Sequence, residues 1–232
     1  MAAPAPTSPA PSNDDASFHC YDVFINHRGP DVKNSVASVV HQFLNCLGLK
    51  PFLDSTEFQT GANISVNIQH AIQSSAVHIA IFSERYASSP WCLAELCLML
   101  ETGAKIVPVF YDVTPSDLRY IEKGRYATAF TTYEEKQRHV NWLDEWKRAL
   151  HKVSFINGIG FDSSNGNMGK LCKNIVDTVV NEVGKVKIKC ELEIAEHPFG
   201  LDEAIQELEA KISSWGQINN GDGKIVGIVG GR

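Results

Sequence analysis

Val77-His78-Ile79-Ala80-Ile81-Phe82, followed across a short polar link by Ser89-Pro90-Trp91-Cys92-Leu93-Ala94-Glu95-Leu96, decides the fold. The first run is almost continuously apolar, as a strand covered on both faces of a parallel sheet must be. The second run opens a helix. Ser89 can cap its free N–H groups, and Pro90 suits a first turn whose N–H has no intrahelical partner. A buried strand feeding a helix is the repeating unit of an α/β sheet.

The same alternation extends in both directions. Strands are expected at Tyr21–Ile25, Pro51–Leu53, Val77–Phe82, Ile106–Tyr111 and, more weakly, Val153–Ile156. Helices are expected at Asn34–Leu47, Ile64–Gln73, Pro90–Glu101, Val140–Leu150 and Met168–Val183. This spacing implies right-handed crossovers and a five-stranded parallel sheet with helices on both faces. Its expected strand order is 2-1-3-4-5, which reverses direction between the first and third strands, and ligands bind at the carboxyl ends beside such a reversal. Two loops are thereby nominated, Asn26–Asp31 and Ser83–Pro90. Pro108 removes a ladder donor from the fourth strand, which implies a bulge or a place near the sheet edge.

Composition narrows the function. The chain has 232 residues, 44% of them AVILMFWYC, enough for a real core. A net charge of -6 argues against nucleic acid as the main partner. The six cysteines, Cys20, Cys46, Cys92, Cys97, Cys172 and Cys190, show neither Cys-x-x-Cys pairs nor disulfide spacing, and the histidines show no metal-ligand spacing. A reducing cytoplasmic setting fits, the nucleus being the other compartment open to such a chain, and no metal or membrane span is expected.

The ends of the chain differ from its middle. Residues 1–17 read as a disordered leader rich in Pro, Ala and Ser, 18–183 as the domain, and 184–223 as a linker with a short helix at Leu201–Ile212. Residues 224–232 read as the first strand of another domain.

Glu95 shares a helical arc with Trp91, Cys92, Leu96, Leu98 and Met99. A carboxylate there either snorkels to water near the positive end of the helix or faces a cleft at the topological switch, and both readings stand on position alone. In Asn26-His27-Arg28-Gly29-Pro30-Asp31, Gly29 permits close backbone approach and Arg28 carries a donor fork suited to phosphate. The plainer reading is a strand-to-helix turn with Asp31 as N-cap. Asp54–Asn63 is long and polar, with Gly61 as the pivot of a lid. The histidines, His27 included, read as incidental.

These stretches occur in an order that resembles one family. Tyr21-Asp22-Val23-Phe24-Ile25, Arg28-Gly29-x-Asp31, Phe52-Leu53-Asp54, Gly61, Ala71-Ile72, Phe82-Ser83-x-x-Tyr86-Ala87-x-Ser89-x-Trp91-Cys92-Leu93-x-Glu95-Leu96, Pro108-Val109-Phe110-Tyr111-x-Val113-x-Pro115-Ser116 and Trp146-x-x-Ala149-Leu150 together resemble the TIR (Toll/interleukin receptor) domain of plant immune receptors. The resemblance implies a flavodoxin-like fold and NAD⁺ hydrolase activity, releasing nicotinamide and ADP-ribose or its cyclic isomers as signals. NAD⁺ is then a substrate, and no cofactor is expected.

By the same resemblance Glu95 is the catalytic glutamate. Asn26, Arg28, Gly29, Pro30, Asp31, Gly61, Ser83 and Trp91 would bind substrate. Self-association through TIR surfaces would complete the site, with other TIR or immune-receptor proteins as further partners. Ile225–Arg232 resembles the start of a nucleotide-binding domain whose phosphate-loop lysine is absent, so no ATP binding is expected.

Departures from the family bear on function. By the resemblance, Asn26-His27 stands where plant members usually carry Ser-Phe, and Val32-Lys33 where they usually carry Thr-Arg. Val39 replaces the histidine of a Ser-His pair at one self-association surface, beside Ser38, and a glycine of a second surface corresponds to Gly158 or Gly160. The rival to an enzyme is a non-catalytic module signalling through TIR–TIR contacts. Nucleic-acid processing is the weakest reading.

Overall fold

The computed structural model of the protein describes residues 21–53 and 66–196, with side chains through residue 187. The expected elements at Ile64–Ser65, Leu201–Ile212 and 224–229, the leader, and the loop carrying Gly61 lie wholly or partly outside the described residues. The chain divides into two compact units, Met1–Val186 and Lys187–Arg232.

All eight residues of strand β3 (Ser75–Phe82) are buried, as its unbroken apolar run demands. Around it lie β1 (Tyr21–His27), β2 (Pro51–Leu53), β4 (Lys105–Tyr111) and β5 (Ile159–Phe161). Their order is β2-β1-β3-β4-β5 and every pairing is parallel. The expected order and switch point therefore hold.

Side chains alternate between two apolar cores as the pleat requires. Phe24, Ala80, Phe82 and Phe110 face one core, shared with α3 (Val66–Ser74), α4 (Pro90–Glu101), α5 (Pro115–Arg119), α6 (Ala127–Glu135) and α7 (Leu143–Val153). Val23, Ile25, Ile79, Ile81 and Val109 face the other. That core is completed by α1 (Gly29–Val32), a π-helical turn at Lys33–Ala37, α2 (Ser38–Cys46) and α8 (Met168–Glu196).

Several expectations need correction. The fifth strand is not Val153–Ile156. Val153 closes α7, fully buried, because Leu143, Trp146, Leu150 and Val153 continue one helical face. The strand falls later, at Ile159–Phe161. Gly158 precedes it because a Cβ there would lie 2.6 Å from the Pro108 carbonyl oxygen, whereas Gly160 has open space.

Pro108 sits in an unbroken register, Val107 and Val109 pairing with Ile79 and Ile81, so there is no bulge. Its missing N–H falls on the side of the edge strand β5, whose pairing starts at Val109. Helices α5 and α6 were not anticipated. The helix expected from Asn34 begins at Gly29, and α8 continues past Val183 to Glu196 because nothing between Gly184 and Pro198 breaks it.

Candidate active site

Strand β1 ends at His27 and β3 at Phe82, side by side, with His27 registered against Ile81. The chain leaves β1 into α1, and leaves β3 through a short 3₁₀ turn, Tyr86–Ser88, into α4. The Ser89 hydroxyl accepts from the Cys92 N–H at 3.4 Å, so α4 starts where Ser89 and Pro90 predict.

Between these segments lies a cleft of about 300 Å³. Arg28, Gly29 and Pro30 line it from one side and Trp91 and Glu95 from the other. His27, Lys33, Ser88, Ser89 and Cys92 also contribute. Glu95 thus faces the cleft and does not snorkel; it is 7% exposed.

A buried carboxylate needs donors. The Asn26 side-chain amide, itself fully buried, donates to Glu95 Oε2 at 2.8 Å and lies 3.3 Å from the Cys92 carbonyl. The Tyr86 hydroxyl donates to Asn26 Oδ1 at 2.5 Å, which sets the amide so that its N–H₂ points at Glu95. Burial and the neighbouring carboxylate raise the Tyr86 pKa well above its ordinary value, so the phenol remains a donor. Asn26 does not line the cleft. It sits behind Glu95 and orients it.

Asp31 and Ser83 form a second layer. The Asp31 carboxylate, 8% exposed, accepts from Arg28 Nη1 at 2.6 Å, Ser83 Oγ at 2.6 Å and Arg85 Nη2 at 2.8 Å. This ties the loop after β1 to the loop after β3. Asp31 is therefore not an N-cap: α1 begins two residues earlier, with Pro30 in its first turn, and the carboxylate points across the switch instead. Arg28 Nε also donates to Ser88 Oγ at 3.2 Å, so part of its fork is occupied by protein.

Among the described residues Cys92 offers the only sulfur in the cleft wall. Its thiol donates to the His27 carbonyl at 3.3 Å, and burial followed by the Glu95 charge pushes its pKa far up. A thiol so protonated is no nucleophile at neutral pH. Among the described lining residues Glu95 is left as the cleft's anionic group.

Sequence reasoning missed His27, Lys33, Ser88 and Cys92 as cleft residues, having read His27 as incidental and Cys92 as a buried thiol. The signal for His27 and Lys33 lay in their place on the switch-point loop and first turn. The signal for Ser88 likewise lay in its place on the nominated loop Ser83–Pro90. Gly61 lies outside the described residues.

Residues 20–195 match the sequence profile of the TIR domain. The chain is 30% identical over 94% of its length to TMV resistance protein N of Nicotiana glutinosa, of which it spans 19%. It is 34% identical over 72% of its length to a Brachypodium distachyon protein named as a probable 2' cyclic ADP-D-ribose synthase, and covers 71% of that protein. Among solved structures, the TIR domains of the activated Roq1 resistosome superpose with a TM-score of 0.62 at 35% identity, over 68% of this chain and 98% of that one. With a profile match over most of its length and a relative matched over more than two thirds of both sequences, this chain belongs to the TIR domain family.

Proposed function

We propose that the chain is an NAD⁺ nucleosidase in which Glu95 is the catalytic carboxylate and self-association switches on activity. One observation carries the reading. Among the described residues one buried carboxylate, oriented by Asn26, lines the cleft at the topological switch point, and the cleft's thiol is held protonated.

One carboxylate suits this substrate. The bond that breaks joins ribose C1′ to the nicotinamide nitrogen. Its electron pair leaves with a ring that departs neutral, so no acid is needed to protonate it. Ordinary glycosidases need a second carboxyl because their leaving oxygen must be protonated. Glu95 then stabilises the developing positive charge on the ribose and assists attack by water, giving ADP-ribose, or by another atom of the same molecule, giving a cyclic isomer. The Arg28–Asp31 loop and Trp91 would hold the substrate beside it. The name of the Brachypodium relative supports this substrate class. The resistance-protein relatives support a role in plant defence signalling.

The second reading, a non-catalytic TIR–TIR module, draws on a different observation. Val39 and Phe43 on α2 and Leu47 at its C-cap are 37%, 50% and 59% exposed along one face. Ser38 beside them turns its hydroxyl onto the Lys33 carbonyl.

Incubating concentrated protein with NAD⁺ and identifying products by mass spectrometry, with Glu95→Ala alongside, separates the two. Nicotinamide release that disappears in Glu95→Ala is expected. Release that survives the substitution removes Glu95 from the mechanism, and self-association with intact NAD⁺ favours the second reading.

A further inference from the structure

A second hollow, of about 590 Å³, lies at the junction of the C-terminal end of α5 with α7. It shares no lining residue with the Glu95 cleft. Four cations line it, Arg119, Lys123, Lys147 and Arg148, with His151 and one carboxylate, Glu122. The chain as a whole carries 27 acidic against 21 basic residues, so this hollow opposes the overall sign. A concave cationic wall concentrates anions from solution.

The walls are built rather than loose. Arg119 Nη2 donates to the carbonyl of buried Ser154 at 3.0 Å and its Nε to the Ser154 hydroxyl at 3.3 Å, while the guanidinium stacks 4.1 Å from the Phe155 ring centre. All these partners are neutral, so they fix the fork and leave its charge uncompensated. Among the described residues Lys147 pairs with Glu134 at 3.0 Å, but Arg119, Lys123 and Arg148 are in no ion pair. Lys123 stands on a turn closed by Gly124 N–H donating to the Tyr120 carbonyl at 2.9 Å. Gly124 has no room for a side chain: a Cβ would lie 2.9 Å from the Asp117 backbone.

We propose that this hollow binds a pyrophosphate-bearing small anion of the nucleoside diphosphate class, independently of the Glu95 cleft. Three positive groups without carboxylate partners match a pyrophosphate better than a single phosphate, and Arg119 offers a preset donor fork. Tyr120 also lines the hollow and is 60% exposed, a ring on which a base can stack. The volume falls within the roughly 300–1,000 Å³ of small-ligand sites.

Calorimetric titration of the full chain with inorganic pyrophosphate, then with ADP, tests this without reference to NAD⁺ cleavage. With the Glu95 cleft disabled by Arg28→Gln, one saturable site is expected for each ligand, with ADP the tighter. Lys123→Gln/Arg148→Gln, both exposed and remote from the core, should weaken both ligands by about tenfold or more. Arg119→Gln should do likewise. Tyr120→Ala should remove the advantage of ADP and spare pyrophosphate.

The proposal is overturned if no saturable binding occurs or if the double variant binds pyrophosphate as tightly as the parent. It is equally overturned if oligothymidylate binds where ADP does not, which would assign the patch to a nucleic-acid strand. Altered self-association of the double variant with unaltered pyrophosphate binding would assign it to a protein contact, against the proposal.

Discussion

Asn26 donates to Glu95 at 2.8 Å although the two residues come from different elements, the end of β1 and the second turn of α4. The bond ties the carboxylate's orientation to the sheet. Asn26→Ala strips the buried Glu95 of this donor and leaves the buried Tyr86 hydroxyl to the Cys92 carbonyl, 2.9 Å away. Destabilisation of about 1–3 kcal/mol is expected, read as a lowered urea midpoint at unchanged slope. Asn26→Asp keeps the shape but sets a second carboxylate against Glu95, so one of the pair must hold a proton. NAD⁺ cleavage at neutral pH should therefore fall further in Asn26→Asp than in Asn26→Ser, which is measured as initial nicotinamide release.

The state of Cys92 makes a separate prediction. Its raised pKa and its bond to the His27 carbonyl make it inert, whereas Cys46 is exposed. Under native conditions iodoacetamide should modify Cys46 and leave Cys92 untouched until denaturant is added, as peptide mapping reads directly. Cys92→Ala should retain NAD⁺ cleavage, with a stability loss on the order of 1 kcal/mol from the lost packing. Abolished cleavage in a folded Cys92→Ala would return the thiol to the mechanism.

His78 predicts how stability follows pH. It is fully buried on β3, its Nε2 donates to the Ile72 carbonyl at 2.9 Å and its Nδ1 has no partner among the described residues, so a proton added there would meet no acceptor from them. Burial lowers its pKa from 6.5 to about 4. The unfolded chain takes up that proton first as pH falls below about 6.5, so this contribution to stability is complete above that pH and lost progressively toward pH 4. The loss is on the order of 3 kcal/mol. Comparing parent and His78→Leu in urea melts across this window should show the extra pH slope in the parent alone.

The elements legible in the sequence are those whose signals are local. β3 needed only its unbroken apolar run, and α4 only Ser89 and Pro90 before an apolar face. The switch point followed from element order. What sequence did not disclose is set by partners distant in the chain. Asp31 looks like an N-cap until Ser83 and Arg85 are brought beside it, and Asn26 looks like a cleft residue until Tyr86 turns its amide toward Glu95. The fifth strand was misplaced because Val153–Ile156 is as β-branched and apolar as a strand, while Ile159–Phe161 is short and flanked by glycine. Helix α5 was passed over although its start is signalled by Thr114 and Asp117, whose carboxylate accepts from the Thr114 N–H at 2.8 Å.

The exposed face of α2 supplies the last prediction. Val39, Phe43 and Leu47 follow one another at single-turn intervals, while Val40 and Leu44, each one residue further on and about 100° round the helix, are fully buried. Val39 is an apolar side chain on this face, so a contact made by it relies on burial of apolar area. Such a contact should tolerate salt, because screening acts on exposed charges and not on apolar burial. Sedimentation velocity should show concentration-dependent association that persists at high salt and is lost in Phe43→Glu. Phe43 is half exposed, so the thermal midpoint should barely move. If activity requires a second copy, NAD⁺ cleavage per molecule should rise with protein concentration in the parent and stay low and flat in Phe43→Glu. A variant that no longer associates yet cleaves NAD⁺ at the parental rate would show that one copy suffices to complete the cleft.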